Sequence, residues 1–210
     1  MKELDLLKKD WQKNSDSFQQ ISENEIYKMI HRKSSSIVKW ILIISILEIS
    51  FWTFSNLFIN TDDVLHKMNH PEIVAALEFL TYFNYVVVLI FVYIFYKNYK
   101  TISTTIATKS LMSAILRTRK TVQYYVWYNL GMIVITAILS FFIAFVYNPD
   151  MEFLREKLAM NGKAMFVTIG ILFLVILGFF GLFWCFYRII YGTLLRRLYA
   201  NYKELKKIDF

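Results

Sequence analysis

Residues 37–59, IVKWILIISILEISFWTFSNLFI, decide the fold. At 1.5 Å of rise per residue a helix needs roughly 20 apolar residues to cross a hydrocarbon core about 30 Å thick. This run is long enough, and its charges are Lys39 near the start and Glu48 near the middle. Three further runs of the same kind follow at 77–96, 122–147 and 164–187. Backbone groups in lipid must be satisfied within their own segment, so the pattern predicts four transmembrane helices and no strands. Composition agrees. A chain with 57% hydrophobic and 19% charged residues is more apolar than a water-soluble domain, and 6 Gly with 2 Pro leave too few turn residues for a β-rich fold. Neither Pro71 nor Pro149 falls inside a run, and the single Cys185 excludes an internal disulfide.

Basic residues orient the bundle. Of 24 Lys and Arg, all but Lys67, Arg155, Lys157 and Lys163 lie in the first 39 residues, the 97–121 connection or the tail from Arg188. The positive-inside rule makes that side cytoplasmic, with both termini inside. The 97–121 connection decides the matter because it has no acid, whereas the 60–77 connection sets Lys67 against Asp62, Asp63 and Glu72. Trp40, Trp127 and Trp184 gather near the inner ends of the runs, with Trp52, Tyr82 and Tyr147 near the outer ends. The first 36 residues are polar and contain no apolar signal-peptide core. The expected organisation is all-α: a cytoplasmic amphipathic arm over 1–36 and a four-helix membrane domain over 37–210, in a bacterial inner membrane. The net charge of +8 then reports topology, and nucleic acid is not an expected partner.

The cytoplasmic stretches have helical periodicity. Leu4, Leu7 and Trp11 share one face opposite Lys2, Lys9 and Lys13. Ser22 and Glu25 have capping-box spacing, flanked by Ile21 and Ile26 as a hydrophobic staple, so a helix is expected from Ser22 towards Arg32. Leu111, Met112, Ile115 and Leu116 alternate with Arg117, Arg119 and Lys120 as an amphipathic lead-in to the third run. Two roles compete. Such helices can lie on the inner leaflet, drawn by anionic lipid, or the arm can dock a cytoplasmic protein with Leu4, Leu7 and Trp11 as anchors. The arm's six acids, from Glu3 to Glu25, make it less lipid-like than the 97–121 stretch. The expected partners are therefore the bilayer with its anionic inner-leaflet lipid, a cytoplasmic protein, and further copies of the chain.

Self-comparison suggests a parallel two-hairpin repeat about an axis along the membrane normal. Arg32, Lys33, Ser34 and Trp40 align with Arg119, Lys120, Thr121 and Trp127, and Phe95-Tyr96-Lys97 aligns with Phe186-Tyr187-Arg188. Chance similarity between amphipathic helices is the competing explanation.

Glu48 is the one acid deep inside a run, and Ser45, Glu48, Trp52 and Ser55 share a helix face. An ionisable group at the bilayer centre costs at least about 2.5 kcal/mol, so the stripe should face protein or water. Asn84 and Tyr85 on the second run, and Tyr125, Asn129, Thr136 and Ser140 on the third, lie at suitable depth to meet it. Gly170, Gly178, Gly181 and Cys185 give the fourth run a small-residue side suited to close packing, with the thiol buried. Glu48 then reads either as a protonated packing group or as a proton-linked or cation-binding site. A four-helix count with Glu on the first helix is similar to the small multidrug exporters, although this chain is about twice as long and has extensive cytoplasmic parts. His66 and His70 are spaced for a metal only if their loop is helical, and Lys67 stands where a zinc hydrolase needs its Glu. Without a phosphate loop, dinucleotide fingerprint, nucleophile elbow or C-x-x-C pair, no catalytic residue and no cofactor is expected.

The stretches Leu6 to Trp11, Ser22 to Ile30, His31 to Trp40 and Arg117 to Val122 resemble an uncharacterised family of four-span membrane proteins from flavobacteria and relatives. The resemblance covers nearly the whole chain and implies the same four-helix architecture. Such proteins sometimes carry a carotenoid-cleaving monooxygenase label. That enzyme family builds a β-propeller around iron held by four His, whereas this chain has 3 His within a helical pattern. The functional expectation is a regulatory or scaffolding membrane protein acting through its arm, with a transporter subunit using Glu48 as the second reading.

Overall fold

A computed structural model describes residues 22–58, 70–105 and 107–208. Every described element is helical: α1 (Glu23–Phe58), α2 (Pro71–Thr104), α3 (Thr108–Tyr147), a 3-10 turn (Pro149–Met151), α4 (Glu152–Met160) and α5 (Gly162–Ile208). Helix ends follow the local chemistry. The Ser22 amide donates to Glu25 Oε2 at 3.1 Å and the Glu25 amide donates to Ser22 Oγ at 3.3 Å, completing the expected capping box. Asn161 Oδ1 accepts from the Lys163 and Ala164 amides at 3.2 and 3.3 Å and so caps α5. At the far end of α3 the Arg155 guanidinium donates to the free carbonyls of Phe145 and Val146.

Four of these helices are long and apolar enough to cross a membrane, and the chain is a membrane protein. The 47 residues of α5 extend about 70 Å at 1.5 Å per residue, more than twice a hydrocarbon core. The surplus turns come from the basic stretches. Helix α1 runs through Ser34 to Ser36 as one element and has no break at residue 36. Nor do the apolar faces of residues 26–30 and 111–116 lie free for a leaflet. Ile30, Leu111 and Ile115 are buried against Ile102, Leu198 and Leu205, because the helices run on together and pack side by side at this basic end. The Tyr27 hydroxyl closes that end by donating to the Thr105 carbonyl at 3.3 Å. Leu4, Leu7 and Trp11 lie outside the described residues.

A second core sits further along the bundle, with Ile41, Val88, Phe95, Val122, Tyr125, Leu130, Tyr187 and Tyr191. In the turns leading to it, each long helix buries one polar residue: Ser34, Asn98, Thr118 and Asn201. Ser34 and Asn98 stand level, since each is seven residues from the Tyr27 to Thr105 contact on antiparallel helices. Asn201 Nδ2 donates to Ser34 Oγ at 3.0 Å, and Thr118 bonds its own helix at Ala114.

Burial also tests the repeat. The alignment pairs buried Phe95 with Phe186, which is 46% exposed, and Tyr96, 51% exposed, with buried Tyr187. The matching residues therefore occupy different faces; an aromatic followed by a base recurs because both helices leave the apolar zone there. The buried sets correspond in another register, Ile30, Ser34, Val38 and Ile41 with Ala114, Thr118, Val122 and Tyr125, and Val88, Phe95, Asn98 and Ile102 with Tyr191, Leu198, Asn201 and Leu205. The glycine expectation is also corrected. A Cβ built on Gly170, Gly178 or Gly181 meets nothing within 4 Å, and Cys185 is exposed, so this side of α5 faces outward.

Removing either partner of the Ser34 to Asn201 bond, by Ser34→Ala or Asn201→Ala, should cost about 1 kcal/mol of stability. The double variant should cost less than the sum of the two. Reversible denaturation of the purified protein in mixed micelles measures both, and strictly additive losses would separate the two residues energetically.

Candidate functional site

Glu48 points from α1 into the bundle, and α3 and α5 answer it with hydroxyls. Tyr125 Oη donates to Glu48 Oε2 at 2.7 Å, Tyr191 Oη donates to the same oxygen at 3.3 Å, and Tyr187 Oη donates to Oε1. Tyr187 and Tyr191 are four residues apart on α5, which places them on one face one turn apart. Their rings stack with centroids 5.9 Å apart, and Tyr125 meets Tyr191 edge-on at 5.8 Å. Phe91 and Phe95 of α2 support Tyr125 from behind at 5.5 and 5.4 Å. The three hydroxyls are thus aimed by packed rings. An ionised carboxylate offers about four acceptor positions, and three are filled. Among the described residues no Lys or Arg forms an ion pair with Glu48, so neutral donors alone solvate it.

Beyond the carboxylate lies a cavity of about 380 Å³, within the size range of small-molecule sites. It is bounded by α1, α2 and α3, with Phe183 and Tyr187 of α5 at its side. Its wall is mainly apolar and aromatic, including Trp52, whose ring lies 6.1 Å from Phe183. A polar line runs along it from Tyr125 through Asn129 and Thr136 to Ser140, about 22 Å of α3, with Thr81, Asn84 and Tyr85 facing it from α2.

The candidate residues separate accordingly. Glu48 is the centre, and Asn84 and Asn129 line the cavity. Asn84 Oδ1 accepts from Tyr128 Oη at 3.1 Å, linking α2 to α3, and Asn129 Nδ2 donates to the Tyr125 carbonyl at 2.9 Å. Ser45 does not join them. It is fully buried one turn below Glu48 and donates to the Leu42 carbonyl of its own helix at 2.9 Å. Tyr187 and Tyr191 were not foreseen as partners of Glu48. The available signal was chemical: a buried acid needs donors, and the paired tyrosines of α5 stand at its depth.

His70 gives no support to a metal site. Its Nδ1 lies 2.8 Å from Glu72 Oε1, and its ring packs edge-on against Tyr147. Glu72, in the exposed first turn of α2 before the apolar run, is held below the usual carboxylate range by its backbone amide and by His70. Among the described residues no three His, Cys, Asp or Glu converge, and His66 lies outside them.

A model of the family called Domain of unknown function (DUF8845) matches residues 24–210, and the chain belongs to that family. No curated protein and no solved structure matches it.

Tyr125→Phe and Tyr187→Phe each remove one donor to Glu48 and should destabilise the protein by roughly 1 to 2 kcal/mol, with smaller losses in a Glu48→Gln background. The same denaturation assay measures this, and equal losses in both backgrounds would show that the hydroxyls act independently of Glu48.

Proposed function

We propose that this member of the DUF8845 family is a multi-pass protein of a bacterial inner membrane, with both termini cytoplasmic, that binds a small organic cation at Glu48 in competition with protons. It acts as a cation-linked or proton-linked binding or transport subunit. The observation that carries the reading is the Glu48 carboxylate, bonded by three tyrosine hydroxyls and without a basic partner among the described residues, at the end of a cavity of about 380 Å³. A buried acid with no counter-charge favours a cation or a proton in its place. Aromatic walls suit an organic cation, since ring faces attract positive charge. The basic residues of the 22–39 and 97–121 stretches and of the tail from Arg188 support the orientation through the positive-inside rule.

The regulatory reading through Leu4, Leu7 and Trp11 concerns residues outside those described. The Glu48 site therefore leads, with arm docking as a separate matter.

The test is binding of tetraphenylphosphonium to the purified full chain in lipid nanodiscs, measured by calorimetry at pH 8 and pH 5. Binding should weaken at the lower pH as protons compete, and Glu48→Gln should lower affinity by about ten-fold or more and remove the pH dependence. Equal affinity of wild type and Glu48→Gln would return Glu48 to a packing role.

A further inference from the structure

A second opening lies on the other side of the same tyrosines. Between α3 and α5, at the basic end of the apolar zone, a groove of about 140 Å³ has Tyr187 and Tyr191 as its floor. Arg188 stands at its mouth, with its guanidinium 4.9 Å over the ring of Trp184. Arg188 is the first base after the 164–187 apolar run, so its charge sits where the apolar zone ends. Among the described residues no acid lines the groove. Helix α3 contains no Asp or Glu, and on α5 the one acid is Glu204, about 24 Å further along at 1.5 Å per residue.

Towards the middle of the bundle the groove wall is apolar, with Leu130 on α3 and Trp184 on α5. Towards the basic end it carries Gln123 on α3 and Leu195 on α5, while the Arg188 guanidinium turns back over Trp184. Gly192 makes the notch: a Cβ there would already touch Arg188 Cγ at 3.8 Å, and a longer side chain would enter the groove. Trp127 and Trp184, 64% and 41% exposed, flank the opening in the manner of interfacial aromatics.

We propose that this groove is a binding site for one anionic phospholipid, with the phosphate on Arg188 and an acyl chain along Leu130 towards the bundle centre. Guanidinium binds phosphate through two parallel charge-assisted bonds, and the Trp184 ring beneath Arg188 fixes its plane for that contact. Basic pockets between membrane helices at an interface suit such headgroups. The inference does not depend on what Glu48 binds.

Native mass spectrometry of the full chain, released from detergent with equal amounts of dioleoylphosphatidylglycerol and dioleoylphosphatidylcholine, tests it. Wild type should retain one phosphatidylglycerol in preference to phosphatidylcholine. Arg188→Gln and Gly192→Leu should each lower that retention about ten-fold or more, while Arg188→Lys keeps part of it and Lys163→Gln, at the opposite end, leaves it unchanged. A photoactivatable phosphatidylglycerol provides a readout without variants and should label residues 123–130 and 184–195. Equal retention of the two lipids, unchanged retention in both Arg188→Gln and Gly192→Leu, or labelling spread around all four long helices would reduce the contact to ordinary surrounding lipid and overturn the site. Displacement of the lipid by millimolar inorganic phosphate would overturn it in favour of a free-anion site, and labelling confined to a second copy would do so in favour of a dimer face.

Discussion

A carboxylate inside an apolar helix bundle must find hydrogen-bond donors, and Glu48 finds three on two other helices. Much of the arrangement is tied to that requirement. Tyr125 sets the depth of α3 against α1, and Tyr187 with Tyr191 sets the depth of α5, so one side chain joins three of the four long helices. Helix α2 enters differently, through the Asn84 to Tyr128 bond and the packing of Phe91 and Phe95 on Tyr125. The cavity lies on the α2 side of the carboxylate, with Tyr125 and Tyr187 of the ring cluster in its wall.

The two cores are held by different physics. Side chains such as Phe166, Phe173 and Leu174 are more than 60% exposed, as expected where lipid is the surrounding solvent. There apolar burial gives helices little reason to associate, and packing with polar contacts must do so. Around Ile30, Leu111, Ile115, Leu198 and Leu205 the helices have run on into their basic turns, where water makes apolar burial favourable at about 25 cal/mol per Å². The buried layer of Ser34, Asn98, Thr118 and Asn201 lies between these regimes, and the Asn201 to Ser34 bond ties first helix to last.

The four long helices were legible because an apolar run of 20 or more residues has few alternatives, and the Ser22 to Glu25 cap because its signal is local. The continuation of α2 through its basic stretch was not. Amphipathic periodicity at residues 111–116 shows that one face is apolar without saying whether lipid or another helix covers it. Glu48, Tyr125, Asn84 and Asn129 were legible as a polar stripe, since an acid in an apolar run stands out. Tyr191 was hidden because tyrosine near a helix end is ordinary at an interface, and only the packing of α5 turns it inward. Ser45 failed for a reason sequence cannot show: a hydroxyl in a helix can satisfy itself on the preceding turn, and this one does.

What solvates Glu48 also bears on its role. A Lys or Arg partner would have closed the site, since a buried ion pair is complete in itself and loses several kcal/mol if opened. Tyrosine hydroxyls stabilise a carboxylate through dipoles and leave its net charge in place. They can also rotate to accept, so the same three rings can receive a protonated Glu48 without moving the helices. The cavity wall beside them adds aromatic faces and amide dipoles and no formal charge. When Glu48 is ionised, its negative charge is the one formal charge among the described residues lining that space, and it attracts a positive group more than a neutral one.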